Sequence, residues 1–191
     1  ASNRALFNRV IHGQYPPAST IKPFLALAGL EKEVINAKYS IDDEGFYQLT
    51  EDGRVYRDWK PEGHGRTNLH KAIRESCDTY FYELAHKLGI DNIAEWLDQF
   101  GFGKSTYVDL PGEKIGVVPS KHWKRKAHGK SWYQGETLST GIGQGYTLVT
   151  PLQLVSGLAM ITNEGLPIYP HLLKQHTLTP LRKQTITAHP E

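Results

Sequence analysis

The chain holds a single cysteine, Cys77, so no internal disulfide is possible; such scarcity suits either a reducing compartment or an extracytoplasmic protein that avoids unpaired thiols. Long apolar runs are missing as well. The strongest, "FLALAGL" at 24–30, falls far short of the roughly 20 residues that span a bilayer. The N-terminus lacks the charged, apolar and small-residue zones of a signal peptide, and any membrane anchor is therefore expected outside this chain. Charge of one sign is scarce: 22 basic and 20 acidic residues leave a formal net charge of +2. That balance, with no arginine- or lysine-rich helix face, argues against nucleic acid as a partner. Repeats, low-complexity linkers and an evident internal boundary are also lacking, so one piece is expected. What is present, 39% hydrophobic and 22% charged residues over 191 positions, suffices for one sizeable core.

Apolar spacing predicts a largely buried helix from about Ser19 to Leu30, with Gly29 near its end. Residues 41–66 mix short Tyr, Phe and Val segments with Asp-Gly and Gly-x-Gly punctuation, which predicts loops and at most one weak hairpin. "TNLHKAIRESCDTYFYELAHKLG" returns to helical spacing as two helices meeting near Ser76, the second closed by Gly89. "DNIAEWLDQFG" predicts a short helix capped by Asp91 and ended by Gly101. In "TPLQ", Thr150 stands at N-cap, Pro151 at the first helical position and Gln153 at the third, a capping box. A buried helix through Leu154, Leu158 and Ile161 is expected to follow. Residues 121–130, "KHWKRKAHGK", read as a solvated basic loop. Trp123, Trp132 and Tyr133 read as half-buried packing at most near a cleft mouth, and Tyr80, Phe81 and Tyr82 as packing behind Ser76.

The stretch "YPPASTIKPF" at 15–24 places Ser19 three residues before Lys22. On one helix face these side chains stand about 5–6 Å apart between Cβ atoms. A serine is a poor nucleophile until a base takes its proton, and a buried lysine can be that base. A helix start supplies free N–H groups to a developing oxyanion. Alone, the spacing carries little, because Ser-x-x-Lys is common by chance.

"SCD" at 76–78 changes its weight. Ser-x-x-Lys, a Ser-Asp-Asn-like motif and Lys-Thr-Gly together form the signature of β-lactamases and penicillin-binding proteins, and the first two are here. "YPPASTIKP", "YRDWKPEGHGRTNLHKAIRESCDTYFYELAHKLGI" and "WYQGETLSTGIGQGYTLVTPLQL" resemble the transpeptidase domain of the penicillin-binding protein 2 family, the class B enzymes of cell elongation. "GIGQG" followed by "TPLQ" is similar to a segment shared by penicillin-binding transpeptidases broadly, and "YRDWKPEGHG" to one of the elongation subfamily.

The resemblance implies an α/β (α+β) fold of the penicillin-binding protein and serine β-lactamase type, represented here mainly by its helical part. It implies Ser19 as acylated nucleophile, Lys22 as its general base, Ser76 as proton relay between Lys22 and the leaving or attacking amine, and Asp78 as a group orienting substrate. Asp78 stands where most of the superfamily has asparagine, as elongation-type members often do. The implied reaction is DD-transpeptidation: Ser19 attacks a D-Ala-D-Ala bond and passes the acyl group to a neighbouring stem. Implied partners are peptidoglycan stem peptides, β-lactam antibiotics, a membrane glycosyltransferase and scaffold proteins of the elongation machinery. The implied location is the periplasmic face of the inner membrane, anchored by an N-terminal helix. The third motif does not occur, and Lys183 and Thr185 of "RKQTIT" do not form it. Residues 1–191 are therefore expected to be a partial transpeptidase domain, weak or inactive alone. The rival readings are a β-lactam or stem-peptide hydrolase, for which no deacylating glutamate can be assigned, and a non-catalytic zinc-stapled binding module.

Asp43, Asp58, His64 and Cys77 fall in or beside the loop-rich stretch before the second motif. Two carboxylates, an imidazole and a thiolate make a tetrahedral zinc set. Some elongation-type members are similar in carrying a metal beside that motif, and a structural zinc is expected here. His70 and Glu44 are the substitute ligands.

Overall fold

The computed structural model describes residues 6–51 and 53–174, so Lys183 and Thr185 lie outside them. In chain order the described elements are α1 (Arg9–His12), a single 3-10 turn (Ala18–Ile21), α2 (Lys22–Glu31), β1 (Ser40–Asp43), β2 (Phe46–Gln48), β3 (Val55–Arg57), β4 (Gly65–Asn68), α3 (Leu69–Arg74), α4 (Asp78–Gln99), α5 (Lys121–His128), α6 (Gln134–Gly141) and α7 (Pro151–Thr162). This is a mixed α/β chain in which helices dominate. Over the described residues, the expected single piece gives way to two compact units, one drawn from 17–95 and 119–146, the other from 6–16, 96–118 and 147–174. Each unit gathers stretches distant in sequence, so no linker composition marks the division.

The larger unit is built on α2 and α4. Phe24, Leu25 and Ala28 of α2 and Tyr80, Phe81, Leu84, Ala85 and Leu88 of α4 are almost fully buried, and each large apolar side chain so buried contributes about 1.5–3 kcal/mol of transfer free energy. Gly29 sits at the closest approach: a Cβ there would meet Leu84 Cδ1 at 2.7 Å and Ile35 at 2.9 Å. The helix predicted from Ser19 starts at Lys22 instead, preceded by the 3-10 turn. Pro23 has no N–H to offer the Ser19 carbonyl, so the Lys22 amide takes it in an i→i+3 bond.

Between α2 and α3 the chain forms two antiparallel ribbons rather than loops with one hairpin. β2 pairs with β3, and β1 pairs with β4 in the register Ser40 to Asn68 through Asp43 to Gly65. The strands are too short for periodicity to announce them, and their pairing is closed by backbone contacts. Gly63 has φ 72°, and a Cβ on it would lie 2.2 Å from the Asp43 carbonyl, so only glycine fits.

α3 and α4 meet at Ser76 as expected. Gly89 interrupts α4 with φ 73° and ψ 155°, after which the helix resumes to Gln99, and Gly101 follows at φ 81°. Asp91, expected as a cap, pairs with Lys121 Nζ at 2.7 Å on the surface. The supposed basic loop at 121–130 is largely α5, capped by the Ser120 hydroxyl and closed by Gly129 in the left-handed region. Five of its six basic residues in the first eight positions are exposed, whereas Lys124 is buried.

In the smaller unit the predicted capping box forms. The Gln153 amide donates to Thr150 Oγ1 at 3.1 Å, and the Thr150 amide to Gln153 Oε1 at 2.9 Å. Gln153 Nε2 reaches inward to the carbonyls of Lys104 and Ile115, both at 2.7 Å. That anchorage turns the buried face of α7 to Gln153, Gly157 and Met160. Leu158, expected inside, is exposed, and Leu154 and Ile161 are half-buried.

Candidate active site

All four expected catalytic residues lie in the larger unit and converge. Ser19 stands exposed on the 3-10 turn. Its neighbour Ala18 adopts φ 49°, a conformation costly for a residue with a Cβ, and its amide donates to the Gly143 carbonyl at 2.9 Å. Ser76 also has positive φ, 54°, in the turn between α3 and α4. That turn is held by the Cys77 amide on the Ala72 carbonyl at 3.0 Å, and it aims the Ser76 hydroxyl at Ser19, with 3.0 Å between the two oxygens.

Lys22 is 2% exposed. Its Nζ lies 2.8 Å from the Ser76 carbonyl, 3.1 Å from Ser76 Oγ and 2.6 Å from Asp78 Oδ1, all within hydrogen-bond reach, and 5.3 Å from the centre of the Phe81 ring. The expected link from Lys22 to Ser19 therefore runs through Ser76. Asp78, in the first turn of α4, gives one oxygen to Lys22 and is largely shielded from water. A nucleophile-type hydroxyl, a bridging hydroxyl, an amine and a carboxylate thus form one continuous chain. Its geometry allows a proton to leave the exposed serine towards a buried base.

Beside it, Asp43, Asp58, His64 and Cys77 are all buried, and their ligand atoms lie within 4.8 Å of one another. His70 and Glu44, the substitutes, are exposed and stand outside the cluster. The carboxylates are oriented by the main chain: Gly45 and His64 amides donate to Asp43 at 2.8 and 2.9 Å, and Lys60 and Thr79 amides to Asp58 at 3.1 and 2.9 Å. His64 Nδ1 faces Asp43 Oδ2 at 2.7 Å and Asp58 Oδ1 at 3.7 Å. Burial opposes the Asp43 charge, yet hydrogen bonds that include those from His64, the Gly45 amide and Cys77 hold its carboxyl below the ordinary range. Burial, reinforced by Asp43 and Asp58, pushes the Cys77 thiol well up. Among the described residues no lysine or arginine pairs with either carboxylate. Two buried carboxylates and a thiol face a single imidazole, whose buried Nε2 has no hydrogen-bond partner, and a thiophilic divalent cation is a group that fits this donor set.

The cluster is joined to the second motif by covalent and hydrogen-bonded neighbours. Cys77 follows Ser76 directly, Asp58 receives the Thr79 amide, and Trp59 stacks edge-on with His64 while its indole N–H donates to the Glu75 carbonyl at 3.1 Å. Sequence reasoning missed two supports. One is the Gly143 carbonyl under Ala18, for which "GIGQG" was the available signal. The other is the Lys124–Glu136 pair, hinted at only by the Tyr-x-x-Glu spacing of Tyr133 and Glu136.

The family model for the penicillin-binding protein transpeptidase domain matches residues 1–190. The chain belongs to that family and has its mixed α/β transpeptidase fold. Within the family it is 46% identical over 172 residues to the peptidoglycan D,D-transpeptidase MrdA of Acinetobacter baumannii, covering 90% of this chain and 26% of that protein. It matches a structure of Pseudomonas aeruginosa PBP2 in complex with WCK 5153 at TM-score 0.89 and 48% identity, covering 92% of this chain and 38% of the other. Against PBP2 of Helicobacter pylori, in its complex with MreC, the TM-score is 0.82 at 41% identity, covering 87% of this chain and 31% of the other. The chain spans about a quarter of the length of the curated relatives it matches. Among the described residues no helix is long and apolar enough to cross a membrane.

Proposed function

We propose that this chain carries the acylating half of a serine DD-transpeptidase that cross-links peptidoglycan stem peptides during cell elongation. The observation that carries the proposal is the continuous path from Ser19 Oγ to Ser76 Oγ at 3.0 Å and on to Lys22 Nζ at 3.1 Å. With Lys22 as the neutral amine, whose lone pair faces Ser76 Oγ, the proton of the Ser19 hydroxyl passes through Ser76 to Lys22, which becomes the ammonium, as Ser19 Oγ attacks the carbonyl between the two terminal D-alanines. The oxyanion so formed is met by the Ser19 main-chain N–H. Collapse breaks the C–N bond, and the departing D-alanine amine takes the proton back along the same path, leaving an ester on Ser19. An acceptor amine of a neighbouring stem then attacks the ester, gives its proton to the relay and restores Ser19. A β-lactam ring opened by the same attack leaves Ser19 blocked.

Asp43, Asp58, His64 and Cys77 would hold one zinc ion, which supplies no step of the reaction and acts as a cross-link between the ribbons and the start of α4. The substrate class puts the work on the periplasmic side of the inner membrane. Similarity to a PBP2 found in complex with MreC supports a scaffold partner of that kind, and a membrane glycosyltransferase supplying the glycan strands is the second partner of the proposal.

The test is covalent labelling of the full-length protein with a fluorescent penicillin. Ser19 should carry the label, and Ser19→Ala should abolish it. Full labelling of Ser19→Ala would overturn the assignment.

A further inference from the structure

We propose that Lys124 is a positioning residue that, through Glu136 and α6, fixes the turn bearing Ser19. The inference rests on Ser19 being the acylated nucleophile. Lys124 is 1% exposed on a helix that is otherwise strongly basic and solvated. Its ammonium is held bidentately by Glu136, at 2.5 Å to Oε1 and 2.6 Å to Oε2. It lies 4.4 Å from the centre of the Tyr133 ring, 5.7 Å from Trp132 and 5.9 Å from Tyr146, an arrangement of cation against aromatic faces. Burying a lysine this completely is costly unless the charge is paired and the geometry held, and neither the relay nor the metal cluster uses it.

Glu136 also starts α6. Its Oε2 accepts the Tyr133 amide at 2.8 Å while its own amide donates to the Tyr133 carbonyl at 3.0 Å, so one carboxylate both anchors Lys124 and sets the first turn. The opposite end of α6 reaches the nucleophile. Gly141 packs against α4 so closely that a Cβ would stand 2.5 Å from Ala85 Cβ and 2.8 Å from the Phe81 carbonyl. Gly143 follows at φ 68°, its amide on the Thr140 carbonyl at 2.9 Å and its carbonyl receiving the Ala18 amide at 2.9 Å. Ala18 is the residue before Ser19 and holds a left-handed conformation that persists only where its surroundings over-determine it. A short rigid helix pinned at its start by Lys124 and wedged at Gly141 delivers the Gly143 carbonyl to that residue. Loosening the start lets the far end shift, and the Ser19 hydroxyl with it.

The measurement is stopped-flow acylation of the full-length protein by a fluorescent penicillin, resolving the pre-acylation dissociation constant from the acylation rate constant. Because small misplacements of a reacting group can cost up to about 10²-fold, Lys124→Met is expected to lower the acylation rate constant by about tenfold or more. The dissociation constant should change by less than about threefold, since the variant disturbs attack rather than docking. Hydrogen exchange at the Ala18 amide should quicken in the same variant. Should Lys124→Met fail to fold, Glu136→Gln decides: it keeps an oxygen for the Tyr133 amide but gives up the charge that holds Lys124, and it should show the same pattern to a lesser degree. A folded variant with a wild-type acylation rate constant, whatever its melting temperature, overturns the proposal, as does a loss confined to the dissociation constant. Ser19→Ala, run alongside, separates this outcome from an error in the nucleophile: label that survives it would show that the serine, not the support, was misassigned.

Discussion

The side chain of Ser76 meets Ser19 Oγ at 3.0 Å while its own carbonyl receives Lys22 Nζ at 2.8 Å, so one residue holds Lys22 with its main chain and bridges to Ser19 with its hydroxyl. The two functions can be separated by substitution. Ser76→Gly and Ser76→Ala both delete the hydroxyl and keep the carbonyl. Position 76 has φ 54°, which glycine adopts freely and alanine does not, a difference of about 1–2 kcal/mol. Both variants should lose acylation, while Ser76→Gly melts at least as high as wild type and Ser76→Ala lower. Near-normal acylation by the well-folded Ser76→Gly would remove Ser76 from the relay.

Lys22→Arg tests the base. Guanidinium keeps a positive charge beside Asp78 and cannot accept a proton from the relay. Acylation should fall by about 10²-fold or more, the usual worth of a general base, with circular dichroism unchanged. A rate within about threefold of wild type would exclude proton transfer to Lys22.

The metal set makes a prediction that is independent of activity. Protein purified without chelator should contain close to one zinc per chain, and chelation should lower its melting temperature, because the unfolded chain has no site and metal binding adds to folding free energy. Cys77→Ser and His64→Ala should each reduce the zinc content and remove most of the chelator's effect. As these ligands bind metal only when deprotonated, zinc should be lost as pH falls. Metal-free protein with the same melting temperature in EDTA would leave the cluster as hydrogen-bonded packing.

Gly143→Ala addresses the support beneath Ser19. A Cβ at that position would lie 2.2 Å from the Ala18 carbonyl oxygen and the backbone has φ 68°, so strain of at least about 1–2 kcal/mol is expected. Acylation should fall along with thermal stability, and added zinc should not restore it. Unchanged acylation would show that the Ala18–Gly143 bond does not govern the nucleophile.

How much of this was legible in the chain depends on the range over which each feature is encoded. Local physics settled the parts written in a few consecutive residues: the Thr150–Gln153 capping box, the helix break at Ser76, the stop at Gly101, and the absence of a disulfide. The resemblance carried by Ser-x-x-Lys, "SCD" and "GIGQG" marked Ser19, Lys22, Ser76 and Asp78, and the donor types of Asp43, Asp58, His64 and Cys77 named a metal set. Only the tertiary structure decided that Lys22 reaches Ser19 by way of Ser76, because that depends on the turn between α3 and α4 docking against α2. It alone brought the four metal-type ligands within 4.8 Å, through backbone pairing of β1 with β4, which side-chain periodicity does not report. It also inverted two local readings. Leu158 faces outward because Gln153 is anchored to carbonyls far along the chain. Lys124 is buried with its charge paired to Glu136, twelve residues on, and set against three aromatic rings. Charge pattern along one helix predicts solvation, and only the partner surface can overrule it.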